Sequence, residues 1–349
     1  MESLAPGEFA TETAYLDTAS YGLPPARGLS AVRAVTDDWA AGRGAPAVHD
    51  PKVDGLRAAF ARLLPGATPD DVAVGGSVGA LIAPVATALP TGAEVLVAEG
   101  DFASVPNPFR YRGDLFVRTV PLDRLAAEVR PETALVAVSV VQSSDGRTID
   151  PVELRAATRA HGARLLFDAT QAAGWLPLRF SDADFWVCAT FKWLLGARSV
   201  SLFAANPEAA NTVRPVSPGW YAAADKRAEM YVPQRLADTA RRFDHTPDWL
   251  GVVAAAAGLE LIDELTVDTI GAHDLALADR FRSGLIDLGL CAVPGRSPIV
   301  AIPGASDRAD RLAAAGVIAT SRGGALRFAF HLHNGADDVD RALNALARR

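Results

Sequence analysis

Five short apolar runs, at residues 95–98, 134–141, 164–167, 185–189 and 200–204, constrain this chain's fold more than any other feature. Each is too short for a helix, and none shows the alternation of a strand with one wet face. They read as strands buried on both faces. Helical patterns lie between them. The one over 151–161 has Asp150 as its N-cap and Pro151 in the first turn, where a missing N–H costs nothing. Strands alternating with helices predict an α/β domain with a mainly parallel sheet sandwiched by helices. After Asp244 the pattern changes to helices over 249–265 (capped by Asp248) and 268–288, strands at 299–302 and 326–330, and a terminal helix over 336–347. The expected division is an N-terminal segment, 1–20, a large domain, 21–245, and a small C-terminal α+β domain, 246–349.

With 349 residues, half of them hydrophobic, the chain has material for a sizeable core, which excludes disorder and a small disulfide scaffold. No run approaches the ~18 apolar residues that span a bilayer, and Met1-Glu2-Ser3 opens no basic-then-apolar leader. Cys188 and Cys291 lack Cys-x-x-Cys spacing, so neither a disulfide framework nor a thiolate zinc site is expected, and the expected compartment is the cytoplasm. A net charge of −7 with interspersed signs speaks against a nucleic-acid partner. The expected partner is a small molecule.

Three segments carry candidate chemistry. Gly75-Gly76-Ser77-Val78-Gly79 follows a strand-like 71–74 and opens a helix-like 80–88. It fits a phosphate cradle built from backbone N–H groups, a structural turn, or the G-x-S-x-G elbow of a serine hydrolase using Ser77. The hydrolase reading needs a late His, for which His331 or His333 could serve. Asp168 ends an apolar strand, as a ligand-facing carboxylate or a helix cap, with Gln171 three positions on. Lys192 ends another, between Phe191 and Trp193, where desolvation favours the neutral amine that Schiff-base chemistry requires. Only three of the 34 basic residues are Lys, namely Lys52, Lys192 and Lys226. A lysine at this position in so lysine-poor a chain therefore suggests chemistry.

Asp168-x-x-Gln171, with Lys192-Trp-Leu beginning 24 residues after the Asp, resembles the class V aminotransferase family. This is the fold-type I pyridoxal 5′-phosphate (PLP) group that includes cysteine desulfurases, kynureninases and isopenicillin-epimerase-like proteins. The resemblance runs from Tyr15-Leu-Asp-Thr-Ala-Ser20 to Leu326-Arg-Phe-Ala-Phe-His-Leu-His-Asn334. It implies Lys192 as the Schiff-base lysine, Asp168 as partner of the pyridinium nitrogen and Gln171 as a bond to the cofactor's phenolic oxygen. Gly76, Ser77 and Val78 would hold the phosphate, in preference to a nucleophile elbow, with Thr190 also in reach of it. Phe102 would stack on the ring. Thr246, in Arg242-Phe-Asp-His-Thr246-Pro, would reach the cofactor phosphate of a partner subunit, implying a homodimer with shared sites. Arg327 would clamp the substrate carboxylate. Its strand alternates Leu326, Phe328 and Phe330 against Arg327, His331 and His333, and the histidines read as polar-face residues rather than metal ligands.

Several positions depart from that pattern. Desulfurases carry a mobile Cys shortly before the Arg-containing strand, and residues 316–325 have none. They also have His where this chain has Phe102, so a persulfide-forming desulfurase is not expected. Phe191 stands where relatives have His or Tyr, removing a phosphate or substrate contact. Ser143 lies near the usual place of an Asn that faces substrate. The expected function is a PLP-dependent reaction at Cα of an amino acid or amine, transamination foremost, with C–S or C–C β-lysis as the alternative.

Overall fold

The computed structural model describes residues 1–227, 230–231 and 235–347. Its strands are β1 (Ala14–Tyr15), β2 (Val72–Gly75), β3 (Glu94–Ala98), β4 (Phe116–Val120), β5 (Thr133–Ser139), β6 (Arg164–Asp168), β7 (Phe185–Ala189), β8 (Ser201–Ala205), β9 (Ile299–Pro303), β10 (Val317–Ile318), β11 (Thr320–Arg322) and β12 (Ala325–Ala329). The helices are α1 (Ala26–Ala40), α2 (Asp50–Leu63), α3 (Val78–Ala88), α4 (Asn107–Arg110), α5 (Pro151–His161), α6 (Pro207–Asn211), α7 (Trp249–Leu265), α8 (Val267–Asp287), α9 (Ala309–Ala314) and α10 (Ala336–Ala347).

Seven strands form the main sheet in the order β2-β8-β7-β6-β5-β3-β4. All run parallel except β8, which is antiparallel to both neighbours. The reversal follows from chain length, because a parallel return requires a crossover of a dozen or more residues, and residues 190–200 are too few. The apolar runs serve two cores at once. Along β5, Val136 and Val138 enter the core shared with α2 and α7, while Leu135 and Ala137 enter the one shared with α3. Strand β7 divides Trp186 and Cys188 from Phe185, Val187 and Ala189 in the same way.

A three-stranded antiparallel sheet, β11-β12-β9, packs with α8 and α10 around Leu277, Phe281, Phe328 and Phe330. The region from 246 onward contributes to more than one core, since α7 packs on α1 and α2 beside the large sheet. Residues 348–349, at the end of the expected small domain, lie outside the described residues. The N-terminal segment is stitched to this lobe, β1 pairing with β10 and Asp17 bridging to Ala329. Asp150 caps α5 as expected, accepting from the Val152 and Glu153 amides. Asp248 does not cap α7; its carboxylate instead accepts from Ser199 Oγ at 2.5 Å.

One buried ion pair fixes the entry to the site. Arg57 is bidentate to Asp244, at 3.0 and 2.5 Å, and donates to the Val72 carbonyl, while Asp244 accepts from Val74 N. The pair thereby clamps β2 to the segment leading to Thr246. Arg57→Ala leaves a buried carboxylate unpaired and is expected to destabilise the protein by about 3–5 kcal/mol. Denaturant unfolding should also show partial recovery in Arg57→Met/Asp244→Asn, which removes the stranded charge. An unchanged midpoint in Arg57→Ala would refute the role given to the pair.

Candidate active site

The carboxyl ends of β2, β3, β5, β6 and β7 converge on a cavity of ≈ 250 Å³. Its walls include Ser77, Val78, Phe102, Ser143, Asp168, Gln171 and Lys192. An open α/β sheet places ligands at this edge, where strand ends and helix N-termini deliver polar groups without breaking the core.

Lys192 lies in the connection after β7. Gly22 N donates to the Phe191 carbonyl at 2.8 Å, and a Cβ on Gly22 would stand 2.1 Å from Lys192 O, so only glycine lets the N-terminal segment pack here. Leu195, buried in the same connection, is held at φ 56°, a left-handed conformation that costs a leucine of order 1–3 kcal/mol. The ammonium sits 5.4 Å from the Phe102 ring centre and 5.5 Å from that of Phe191. Burial pushes the Lys192 pKa down to about 8, against the pull of the Asp168 charge. The neutral amine is therefore far more accessible near neutral pH than in an exposed lysine.

Asp168 ends β6 and is buried. Desolvation pushes its pKa up to about 6, despite the hydrogen bond from Thr170 N at 2.8 Å. Apart from the more distant Lys192, no cation stabilises this carboxylate among the described residues, and a protonated ring nitrogen would supply a close one. Asp101 accepts from Phe102 N, Ser139 N and Ser139 Oγ at 2.6–2.8 Å, which fixes the start of the segment carrying the Phe102 ring. Gln171 Nε2 donates to Ala19 O at 2.9 Å, and its Oε1 accepts from Trp193 Nε1 at 2.7 Å. One amide hydrogen remains for a ligand. Ser77 caps α3, accepting from Ala80 N, and Gly76 N approaches His245 Nδ1 at 3.5 Å.

Other expected residues stand elsewhere. The Thr190 hydroxyl turns away from the cavity to the carbonyls of Val200 and Ala197, at 2.9 and 3.1 Å, closing the β7–β8 connection. Arg327 is buried outside the cavity wall and donates to Asp17 at 3.1 Å, Ser20 Oγ at 2.6 Å and the carbonyl of Ser143. Thr246 is exposed. His331 and His333 are buried rather than on a polar face. The strand ends at Ala329, and the turn beyond it carries both rings inward. His331 Nε2 lies 3.0 Å from the Trp193 carbonyl, which can only accept, so that nitrogen carries a proton. Burial pushes the ring down to about 3 and the Asp274 carboxyl up, and the two groups approach to 2.8 Å. Both histidines nominated as the base for Ser77 are thus bonded elsewhere.

Sequence reasoning missed Asp101, Ser139, Thr170, Arg198 and Ser201 as contributors. Their polar side chains stand at or near strand ends, but nothing in the one-dimensional order says which strand ends lie side by side, 38 residues apart for Asp101 and Ser139.

Residues 117–305 match the family model described as "Aminotransferase class-V". The "Uncharacterized aminotransferase YcbU" of Bacillus subtilis is 29% identical over 316 residues, covering 85% of this chain and 84% of that protein. A kynureninase of Deinococcus radiodurans is 29% identical over 291 residues, covering 76% and 70%. Among solved structures, a cystine C–S lyase in complex with cysteine persulfide superposes with a TM-score of 0.87 at 20% identity over 97% of this chain and 98% of that one. An apo cysteine desulfurase from Thermococcus onnurineus gives 0.83 at 20% identity, over 96% and 94%. These last two likenesses establish the fold, that of PLP enzymes of fold type I.

Proposed function

The chain belongs to the class V aminotransferase family, whose members depend on PLP, and from that premise we propose that it transfers an amino group from an amino acid or amine to a 2-oxo acid. The observation that carries the reading is the pairing of one buried lysine, its pKa lowered to about 8, with one buried carboxylate in a cavity that no thiol lines among the described residues.

PLP, when bound, supplies a conjugated sink for the electron pair left at the substrate's Cα. Lys192 in this reading is the base and acid that takes the Cα proton and returns it at a neighbouring position. Asp168 holds negative charge in the cavity, where it would sustain a protonated ring nitrogen. The partly exposed Phe102 would lie against one face of the ring, and Gln171 would offer its remaining amide hydrogen to the ring oxygen. The N–H groups at the start of α3, with Gly76, Ser77 and Val78, accommodate the phosphate. Arg327 receives the substrate carboxylate by exchanging Asp17 for it, beside Ser143. We further propose a homodimer in which the exposed Thr246 serves the partner's phosphate, working in the cytoplasm, where the free Cys188 and Cys291 stay reduced.

The test is incubation of the PLP-loaded protein with a panel of amino acids, with and without a 2-oxo acid acceptor. Amino transfer that requires the acceptor is the expected result. Release of ammonia, a thiol or a cleaved side chain without acceptor would replace transamination by β-lysis.

A further inference from the structure

The pre-lysine segment cannot serve a phosphate here. Thr190 is committed to two backbone carbonyls, and Phe191 has no hydrogen-bonding group. Two residues after the lysine stand in the right place instead. Ser201 opens β8, in register with Gly75 of β2, so its Cα faces the strand end from which the Gly76-Ser77 turn departs. It lines the cavity, is 1% exposed, and its hydroxyl has no hydrogen-bond partner among the described residues. A buried hydroxyl left unpaired is destabilising unless a ligand satisfies it. Arg198 also lines the cavity, with its guanidinium carbon 5.0 Å from the Phe191 ring centre and no carboxylate partner among the described residues. Its neighbour Ser199 places a carbonyl 3.9 Å from where a Cβ on Gly76 would stand, so this loop abuts the start of α3.

We propose that Arg198 and Ser201 form the second half of the phosphate subsite, replacing the contacts that Thr190 and Phe191 do not make. The inference rests on the PLP reading above and names residues that reading does not use. Charge supports it. A phosphate monoester carries about −1.5 to −2 near pH 7, and the helix N-terminus offers only about +0.5. One guanidinium brings the total to about +1.5. Stacked on Phe191, Arg198 occupies the space of the missing pre-lysine contact, and the ring holds its guanidinium plane.

Titration of the apoprotein with PLP and, separately, with phosphate-free pyridoxal, read by the visible chromophore, tests this without reference to turnover. Arg198→Gln should weaken PLP binding about 10- to 100-fold, and Ser201→Ala by roughly a third to a half of that on a logarithmic scale. Pyridoxal affinity should be unchanged in both. Equal loss for both aldehydes would mean a structural role and overturn the proposal. So would unchanged PLP affinity in Arg198→Gln, most tellingly if KM for acidic donors rose, which would assign the guanidinium to a substrate carboxylate. A wild-type protein that forms no chromophore with either aldehyde would instead overturn the cofactor reading together with this one.

Discussion

Lys192→Ala is expected to form no borohydride-reducible protein adduct with PLP and to lose roughly 10⁴-fold or more in turnover. The magnitude follows from the absence of a substitute. Lys52 is exposed and bonded to Glu260 at 3.2 Å, and Lys226 lies against Asp50 and Tyr221 at 3.2 and 2.9 Å. Neither lines the cavity. Arginine cannot take over, because its guanidinium stays protonated and so has no nucleophilic form. Lys192→Arg should therefore fail as completely as the alanine variant while retaining the charge. Borohydride reduction with peptide mapping and a turnover assay on both variants decide the matter. A reduced adduct on any other lysine would show that the aldehyde is held elsewhere.

Asp168→Asn is expected to keep the chromophore but lower turnover by about 10²–10³-fold, the usual cost of removing one preorganised charge. The same variant carries an electrostatic signature that is independent of the cofactor. Only the neutral amine acylates, so labelling of Lys192 in the apoprotein should rise with pH through a midpoint near 8. The Asp168 charge opposes the desolvation that lowers this pKa, while Arg327 and Arg198 act in the same direction as burial. Removing the carboxylate therefore shifts the midpoint to lower pH. Peptide mapping after acylation reads this directly, with Lys52 and Lys226 as internal controls. A midpoint that rose in Asp168→Asn would contradict the assigned geometry.

The large sheet was legible where burial on both faces leaves no polar residue. Strands β3, β5, β6, β7 and β8 were expected within one or two residues of their observed bounds, as were α5, α7, α8 and α10. Strand β4 escaped notice because it is a half-exposed sheet edge carrying Arg118 and Thr119. Strands β1, β10 and β11 are two or three residues long, too short for any periodicity to show. The site followed the same division. Lys192, Asp168, Gln171 and Ser77 could be nominated because each directly follows a recognisable apolar run. Arg198 and Ser201 could not, because their significance lies in proximity to β2, more than 120 residues earlier in the chain.

Residue type and local order thus determined the layered α/β fold and the buried lysine and carboxylate that line one cavity. Tertiary structure decided which way each polar group points. It turned Thr190 into the β7–β8 closure, tied Arg327 to Asp17, and buried His331 against Trp193. It also left the Ser201 hydroxyl without a partner among the described residues at the cavity wall. The physical reason is that burial and chain propensity act on a residue and its near neighbours, so they can be read along the sequence. Hydrogen-bond satisfaction depends on groups that only folding brings within 3 Å of one another.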